Sequence, residues 1–397
     1  MKKVYYGKAV YDNKEINAVI KVLKNEGLSL VDGHNVKKLE KTVSKIFGKK
    51  YGLMVNSGSS ANLLALASFN FKKGSEIITP NLTFSTTVAP IYQLGLIPHF
   101  IGVVKNKFVA DPHEIEKCIN KRTVALMIPN LLGNIADWKT INKIAKKYNL
   151  KVIEDSADTI GYTTNKKIIG NFSDVVTNSF YASHIINGAG TGGMVCFNDQ
   201  KLYERAKLLR GWGRSSTMFN ESEDADKRFN VKVSGIDYDA KYIFSEMGYN
   251  FLPSEISAAF ALEQIKKLND NISIRNKNFD YLKFFFGKYH EYFSLPEQYV
   301  GIKTPWLAFP LVIKENKKFN RKQMQIFFEK NMIQTRTIFT GNILKQPVMK
   351  NRVFNKSKGC DLVADDVMKN GILLGCHHGM KVYELKYMCD IFKKFIN

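Results

Sequence analysis

The feature that constrains this chain most is an alternation between residues 51 and 200, where short apolar runs are separated by helical patterns. The runs are YGLMV, EIITP, HFIGVV, VALMIPN, KVIED, VVTNSF and GGMVCF. Runs that are apolar on both faces and separated by helices are typical of a parallel sheet covered on both sides. We therefore predict an α/β fold with a mostly parallel central sheet. Ligands of such sheets bind beyond the carboxyl ends of the strands, so residues that follow the strands are the first candidates for a site.

The chain changes character after the alternation ends. Residues 211–247 are polar and weakly periodic, and a loop of this length predicts a functional flap. From residue 254 a helical pattern continues for about ten turns and predicts a linking helix. The remainder has the pattern of a smaller α+β unit. We expect a large domain over residues 1–255, flap included, and a linking helix with a small C-terminal α+β domain over residues 256–397.

Composition and charge narrow the class of protein. The formal net charge is +23, which indicates either an anionic partner or lysines that simply face solvent. No basic stripe with interleaved aromatic residues occurs, so we expect no nucleic-acid partner. No apolar run has bilayer length and none follows the first lysines, so we expect a cytoplasmic enzyme without a membrane partner. The five cysteines form no CxxC pair and indicate reduced, buried thiols rather than a metal site.

The segment VNSGSSANLL, residues 55–64, places small residues between a strand and a helix. Backbone amides at a helix N-terminus favour a phosphate group. Taken alone the signal is weak, because Ser59 or Ser60 could simply cap the helix. The segment also lacks the lysine of a P-loop and the glycine spacing of a dinucleotide site.

The segment VIEDSAD, residues 152–158, ends a strand with three carboxylates, Glu154, Asp155 and Asp158. Burial of a carboxylate is costly unless it is paired, so one at the end of a strand is a ligand or catalytic candidate. Metal binding and helix capping remain equal alternatives on this evidence.

The order of these pieces resembles fold-type I pyridoxal phosphate enzymes, and in particular the DegT/DnrJ/EryC/StrS sugar aminotransferase family. The segment of residues 55–64, which favours a phosphate, is followed about 95 residues later by an aspartate at the end of a strand. An SF motif before a glycine-rich turn comes next. The segments that carry the resemblance span most of the chain. They are NSGSSANLL, the segment 80–86 with TFST, NLLGN, IEDSAD, GNFSDVVTNSFYASH, GTGGMV, RGWGR, GYNF and TRTIFTGN.

The resemblance implies a pyridoxal 5′-phosphate or pyridoxamine 5′-phosphate cofactor. Gly58 and Ser59, helped by Ser179, would hold the cofactor phosphate. Phe84 would stack on the pyridine ring, and Asp155 would pair with its protonated nitrogen.

The resemblance extends to residues outside the phosphate cup. Asp158 would lie near the ring hydroxyl. Asn250 would reach the cofactor phosphate of the neighbouring subunit, which implies a homodimer with shared active sites. Arg336 and Asn342 are the candidates for substrate contacts, and no metal ligand is implied.

The residue four positions after Phe180 is His184, where aminotransferases of the family carry the lysine that bonds to the cofactor aldehyde. Imidazole cannot form that bond but can carry a proton near neutral pH. One subgroup has this exchange: the nucleotide-linked 4-keto-6-deoxysugar 3-dehydratases of 3,6-dideoxysugar and lipopolysaccharide O-antigen biosynthesis. Some members of this subgroup carry a cysteine-ligated 2Fe-2S cluster, with the cysteines just after the WGR motif. The corresponding stretch here, WGRSSTMFNESEDAD, contains no cysteine. The resemblance therefore implies an enzyme without this cluster, and it also implies glutamate as the amino donor.

Two other functions stay open. One is a nucleotide-sugar aminotransferase that uses another lysine, with Lys166 and Lys167 nearest in sequence, although TTNKKI has the pattern of a hairpin turn. The other is a non-catalytic regulatory protein that binds the cofactor. The nucleotide base and the sugar configuration are also open. The pair His377–His378 is expected to lie in a surface turn.

Overall fold

A computed structural model describes residues 3–25, 29–164, 167–168, 170–219 and 224–397. Its main element is an eight-stranded sheet in the order β1-β9-β8-β5-β4-β2-β3-β15, where only β9 runs antiparallel to its neighbours. The strands are β1 (Tyr51–Val55), β2 (Glu76–Pro80), β3 (Ile97–Ile101), β4 (Thr123–Pro129), β5 (Lys151–Asp155), β6 (Thr163–Thr164), β7 (Lys167–Ile168), β8 (Val175–Ser179), β9 (Gly193–Phe197), β10 (Val231–Val233), β11 (Ile236–Tyr238), β12 (Phe293–Ser294), β13 (Ile302–Lys303), β14 (Phe309–Ile313), β15 (Asn355–Lys356) and β16 (Gly371–Leu374). The predicted α/β class and mostly parallel sheet are confirmed.

Helices cover both faces of this sheet and surround a second, smaller one. They are α1 (Asn13–Lys24), α2 (His34–Ile46), α3 (Gly58–Ala67), α4 (Ser85–Gln93), α5 (Pro112–Cys118), α6 (Trp138–Lys147), α7 (Gln200–Arg210), α8 (Ala225–Phe229), α9 (Glu255–Lys266), α10 (Leu268–Gly287), α11 (Arg321–Lys330), α12 (Asp361–Asn370) and α13 (Val382–Ile396). Among the described residues, no helix combines the length and the apolar character that a membrane span requires.

The strand registers bring the ends of β1, β4, β5 and β8 to one edge of the sheet. Val55 and Ser179 both lie opposite Gly193, and Pro129 lies opposite Asp155. All these strands are buried nearly along their length, as expected for a sheet that helices cover on both sides. The segments that follow these strands therefore meet beside the same edge.

The smaller unit is built on the antiparallel sheet β12-β14-β16, with an aromatic core. Ring contacts join Phe286 to Phe293, Phe309 and Phe392. The predicted linking helix is two helices, because the backbone leaves helical geometry at Lys267, between α9 and α10. Helix α9 packs on α1 and α2, while α10 packs on α13. The boundary at residues 255 and 256 stays a prediction.

The predicted flap contains regular structure in its described parts, residues 211–219 and 224–247. Strands β10 and β11 form a hairpin within the flap. At the base of the flap, backbone bridges join Gly211 to Asn250 and Arg214 to Phe244. Gly213 has φ +76°, and the backbone of Glu246 occupies the place where a Cβ would lie. Only glycine allows the two chain segments to cross here.

Candidate active site

The carboxyl edge of the central sheet opens into a cavity of about 430 Å³. This volume lies within the range typical of small-molecule sites. Of the predicted site residues, those that line the cavity are Gly58, Ser59, Phe84, Asp155, Asp158, Ser179 and His184. Segments more than 120 positions apart in sequence therefore meet at one place.

The N-terminus of α3 forms one wall of the cavity. Its cap is Ser57, whose Oγ accepts from the amide of Ser60 at 3.1 Å, so neither Ser59 nor Ser60 is the cap. The amides of Gly58 and Ser59 lie in the first turn, where no intrahelical acceptor exists. A Cβ on Gly58 would lie 2.6 Å from the Cβ of Ser179, so glycine permits this close approach of helix and strand. The arrangement makes an anion cradle of amides and hydroxyls.

Asp155 lies at the floor of the cavity and is buried. Its Oδ2 accepts hydrogen bonds from Asn62 and Thr87 at 2.8 Å each, and its Oδ1 accepts from the amide of Ala157 at 3.1 Å. Among the described residues, no cation lies within ion-pair distance of this carboxylate. Burial raises its pKa, against the effect of these hydrogen bonds. A cationic ring nitrogen in the cavity would supply the missing partner, so the residues fit a protonated pyridine ring.

Glu154 belongs to a different environment, because adjacent side chains of a strand point to opposite faces. Its carboxylate is fully buried and accepts from Tyr162, Ser156 and Asn130. Burial raises its pKa. Glu154 is therefore a structural residue, and the three carboxylates of IEDSAD do not form one ligand set.

Asp158 faces the cavity beside His184. Its Oδ2 accepts from the amide of Leu132 at 2.8 Å, and its Oδ1 lies 4.0 Å from Nε2 of His184. Leu132 adopts a left-handed backbone conformation with φ +60°, a strained geometry for a leucine. Burial, together with the charge of Asp155, raises the pKa of Asp158 to about 7.

His184 sits in the turn between β8 and β9 with its imidazole at the cavity wall. Its Nδ1 lies 3.3 Å from the carbonyl oxygen of Ser179. A carbonyl can only accept, so we assign the ring proton to Nδ1 and leave Nε2 as a free acceptor. Burial lowers the pKa of His184 to about 4, with a further contribution from the cation of Arg275. At neutral pH the ring is therefore an uncharged base.

Three of the predicted site residues do not line the cavity. Asn250 is exposed beside the base of the flap. Arg336 is also exposed, and its guanidinium lies 5.7 Å from the ring centre of Tyr6, which does line the cavity. Asn342 is fully buried, and its Nδ2 donates to Asp361 and Asp365.

The position of Asn342 corrects the predicted substrate contact. Its Oδ1 accepts from the amide of Leu344 at 3.1 Å, so both ends of the side-chain amide have partners inside the protein. The residue stabilises the segment that contains it and presents no group to a ligand.

Sequence reasoning missed several residues of the site. Asn62 and Thr87 support Asp155, and Asn62 lies one helical turn after Gly58, a spacing that could have identified it. Tyr6 reaches the cavity from the N-terminal segment, for which no local pattern gives a signal. The expectation of a surface turn at His377–His378 is wrong, because both side chains are buried.

A mostly parallel sheet, an anion cradle at a helix N-terminus and a buried carboxylate at the end of another strand of the same sheet define the class of fold-type I pyridoxal phosphate enzymes. Residues 10–393 match the model of the DegT/DnrJ/EryC1/StrS aminotransferase family, and the chain belongs to this family. The family that the sequence motifs indicated is confirmed.

Several proteins similar to this chain are 3-dehydratases by name. GDP-4-keto-6-deoxy-D-mannose 3-dehydratase of Yersinia pseudotuberculosis is 31% identical, over 97% of either chain. A crystal structure of a histidine-to-asparagine mutant of GDP-4-keto-6-deoxymannose-3-dehydratase with bound GDP-perosamine has a TM-score of 0.87 at 31% identity, covering 98% of this chain and 99% of that one. Another structure of such an enzyme, with a trapped PLP-glutamate geminal diamine, has a TM-score of 0.87 at 30% identity and the same coverage.

Proposed function

We propose that this protein is a pyridoxal phosphate-dependent 3-dehydratase that removes the C3 hydroxyl of a nucleotide-linked 4-keto-6-deoxyhexose, in 3,6-dideoxysugar biosynthesis. The observation that carries the proposal is His184, which occupies the wall of the cofactor cavity with a free Nε2. Among the described residues that line this cavity, none is a lysine. The site therefore offers a base but no amine for covalent attachment.

The cavity binds the cofactor through contacts that require no covalent bond. Gly58, Ser59 and Ser179 would hold the cofactor phosphate, and Phe84 would stack on the pyridine ring. Asp155 keeps the ring nitrogen protonated. Bound in its aminated form, the cofactor would supply an amine for the C4 ketone of the substrate and a ring that accepts electrons. Asp158, next to His184, is assigned to the ring hydroxyl.

His184 is the proton carrier of the reaction. The imidazole ring is neutral in the resting protein, so Nε2 would first take a proton from the carbon that carries the amine of the bound cofactor and could then donate that proton. The histidinium that results then protonates the departing C3 hydroxyl, so one residue acts first as base and then as acid. The hydrogen bond from Nδ1 to the carbonyl oxygen of Ser179 keeps Nε2 directed away from the backbone.

The assignment of substrates is supported by the names of similar enzymes and by an exposed arginine near the cavity. The similar enzymes are named for a GDP-linked 4-ketosugar, and one similar structure contains a glutamate adduct. We assign a nucleotide-diphosphate 4-keto-6-deoxysugar as substrate and glutamate as amino donor. Arg336, exposed beside Tyr6, is assigned to the substrate. Asn250 is assigned to the cofactor phosphate of a second subunit in a homodimer, because it is exposed and does not line its own cavity.

The test is incubation with pyridoxal phosphate, glutamate and, separately, GDP-, CDP- and dTDP-linked 4-keto-6-deoxysugars. We expect release of ammonia together with a sugar that has lost its C3 hydroxyl, detected by mass spectrometry. The His184→Asn variant is the control and should release neither. Formation of a 4-aminosugar with no deoxysugar would show that the protein is an aminotransferase.

The aminotransferase alternative needs a lysine at the cofactor. Lys166 lies outside the described residues, and for Lys167 only the backbone in β7 is described. Borohydride treatment of the protein with pyridoxal phosphate should label no lysine in the cavity, as peptide mass mapping would show. The regulatory alternative predicts cofactor binding without turnover of any of the three sugars.

A further inference from the structure

A hydrogen-bond network centred on a buried arginine lies directly behind the proton carrier. Arg275, on α10, is fully buried. Among the described residues, no carboxylate lies within ion-pair distance of it. A buried charge without a counter-ion is costly, so the fold retains this guanidinium against an electrostatic penalty. Burial accordingly lowers its pKa to about 10.

The guanidinium bonds to three separate parts of the molecule. Nη1 donates to the carbonyl oxygens of Trp306 and Leu307 at 3.2 and 3.1 Å, and Nε donates to Nδ1 of His378 at 3.1 Å. Nη2 lies 3.4 Å from the carbonyl oxygen of His184 itself. Arg275 thus contacts the turn that carries the proton carrier, the cavity wall at Leu307 and the smaller unit at His378.

These bonds continue around the cavity wall to the partner of His184. The amide of Leu307 donates to the carbonyl oxygen of Leu132 at 2.8 Å. The amide of the same Leu132 donates to Asp158, which lies 4.0 Å from Nε2 of His184. The path therefore begins at the backbone carbonyl of His184 and ends at Asp158, beside the imidazole ring of the same residue. Its left-handed member, Leu132, can present both its amide and its carbonyl along this path.

We propose that Arg275 is the positioning residue for His184, holding the backbone of the catalytic turn in register with the Leu132–Asp158 side of the cavity. This inference rests on the proposed role of His184 as proton carrier. The cation has a second consequence, because a positive charge beside an imidazole disfavours its protonation. The guanidinium therefore helps to keep His184 neutral, as its base role requires.

Several ionisable side chains face His184 or Arg275, and their charges decide whether the charge of Arg275 is compensated. The imidazole of His184 faces Asp158 and the ring of Tyr181. The ring centres of His184 and Tyr181 lie 5.8 Å apart in an edge-on contact. The guanidinium faces Tyr6, Cys376 and neutral His378; burial raises the pKa of Tyr6 and raises that of Cys376 to about 12. Tyr6, Cys376 and His378 carry no compensating negative charge at neutral pH, and Asp158, whose pKa is about 7, is only partly ionised there.

The test follows the imidazole itself in protein labelled with ¹³C in its histidine rings, with and without pyridoxal phosphate. The resonance of His184 is identified by its absence in His184→Asn. In Arg275→Gln we expect the pKa of His184 to rise by roughly one unit, from the loss of a nearby charge. We expect kcat for ammonia release to fall about 10- to 100-fold through misplacement of the base, while KM for the sugar changes little.

The matched control is Arg210→Gln. Arg210 is equally buried but pairs with Asp32 and Glu40 and does not line the cavity. This variant should lose stability without a change in the pKa of His184. Arg275→Lys keeps a cation and serves if the glutamine variant does not fold; its kcat should also fall, with KM retained.

The outcomes separate this inference from the proposed function. An unchanged pKa of His184 together with unchanged kcat in a folded Arg275 variant would overturn the positioning role alone. Equal losses in the Arg275 and Arg210 variants would make Arg275 a residue of general stability and also overturn it. If the wild-type protein turned over none of the sugars, the proposed function would fail, whereas the imidazole titration would still decide whether Arg275 controls His184.

Discussion

Two ionisable side chains of the cavity, His184 and Asp158, have pKa values that are shifted toward their neutral forms. Burial lowers the pKa of His184 to about 4 and raises that of Asp158 to about 7. Their separation of 4.0 Å is longer than a strong charged hydrogen bond. The pair is therefore not a resting ion pair, and the imidazole remains available as a base at neutral pH.

Replacement of His184 by lysine tests the residue that separates dehydration from amino transfer. In His184→Lys we expect the new amine to bond covalently to the cofactor, because the cradle and Asp155 are unchanged. Dehydration should fall at least about 10²-fold, and weak amino transfer to the 4-ketosugar can appear. Borohydride trapping with peptide mass mapping measures the attachment, and His184→Asn should show none. Dehydration at the wild-type rate would mean that the histidine does not determine the reaction.

Asp155 is the residue that we propose controls the charge of the cofactor ring. Asp155→Asn keeps the shape and the contacts to Asn62 and Thr87 but removes the negative charge. The ring nitrogen should then lose its proton, and ammonia release should fall by about two orders of magnitude or more. The absorption spectrum and binding of the cofactor report the change separately from turnover. Full activity in this variant would contradict the assignment of Asp155 to the ring nitrogen.

The buried His378 makes the fold sensitive to acid. Burial lowers its pKa to about 2, with contributions from Arg275 and His377. Below about pH 6.5 the unfolded chain therefore binds a proton at this position that the folded chain does not, and stability is lost as the pH falls. In His378→Asn, which keeps an acceptor for Arg275, we expect the loss of unfolding free energy between pH 7 and pH 5 to be smaller by about 2 kcal/mol.

The control for this acid sensitivity is His290→Asn, since the side chain of His290 is 82% exposed. Urea unfolding at the two pH values should show parallel losses for this control and for the wild type. A parallel loss in His378→Asn as well would show that His378 does not contribute to acid unfolding.

At the scale of elements, the site depends on the contact between the start of α3 and the end of β8. A Cβ at Gly58 would lie 2.6 Å from the Cβ of Ser179, so Gly58→Ala must push the helix N-terminus away from the strand. Overpacking of this kind costs about 1–3 kcal/mol, so we expect cofactor affinity to fall roughly tenfold or more, as measured by fluorescence titration.

The control for this element is Gly287→Ala at the end of α10. A Cβ there meets only Leu295, at 3.8 Å. This variant should bind the cofactor like the wild type. Equal affinity in Gly58→Ala would indicate that the cofactor phosphate does not lie on the start of α3.

At the scale of the whole molecule, the proposed homodimer requires an exposed surface near Asn250. Apolar side chains of this region, Ile236, Tyr242, Phe244 and Met247, are at least 55% exposed. Asn250 lies beside the base of the same flap. In the proposed two-fold dimer, Asn250 of each subunit would complete the cavity of the other, so the two sites are exchanged symmetrically.

Mixed dimers test the shared site. Chains with His184→Asn and chains with Asn250→Ala should each be nearly inactive at limiting cofactor. A random mixture of the two should regain roughly a quarter of wild-type activity, because half of the dimers contain one intact site out of two. Co-expression with distinct affinity tags isolates the mixed dimers. Absence of recovery in an isolated mixed dimer would show that each cavity is completed by its own chain.

The sequence by itself determined the central sheet and the positions of its strand ends. Apolar runs and the small residues that follow them are encoded within a few neighbouring positions, so β1, β2, β4, β5 and β8 could be predicted closely. The SF motif likewise identified His184, because its spacing from Phe180 is local. These features need no knowledge of how distant segments pack.

Only the tertiary structure decided which polar residues share the cavity. Asp155 and Glu154 are neighbours in sequence and point to opposite faces of the strand, but only the packing around those faces decides which of the two lines the cavity. The same packing gives Asn342 internal partners, brings Tyr6 to the cavity and places Arg275 behind His184 from 91 positions away. Contacts between such distant positions depend on how whole elements pack, and a local pattern carries no record of that packing.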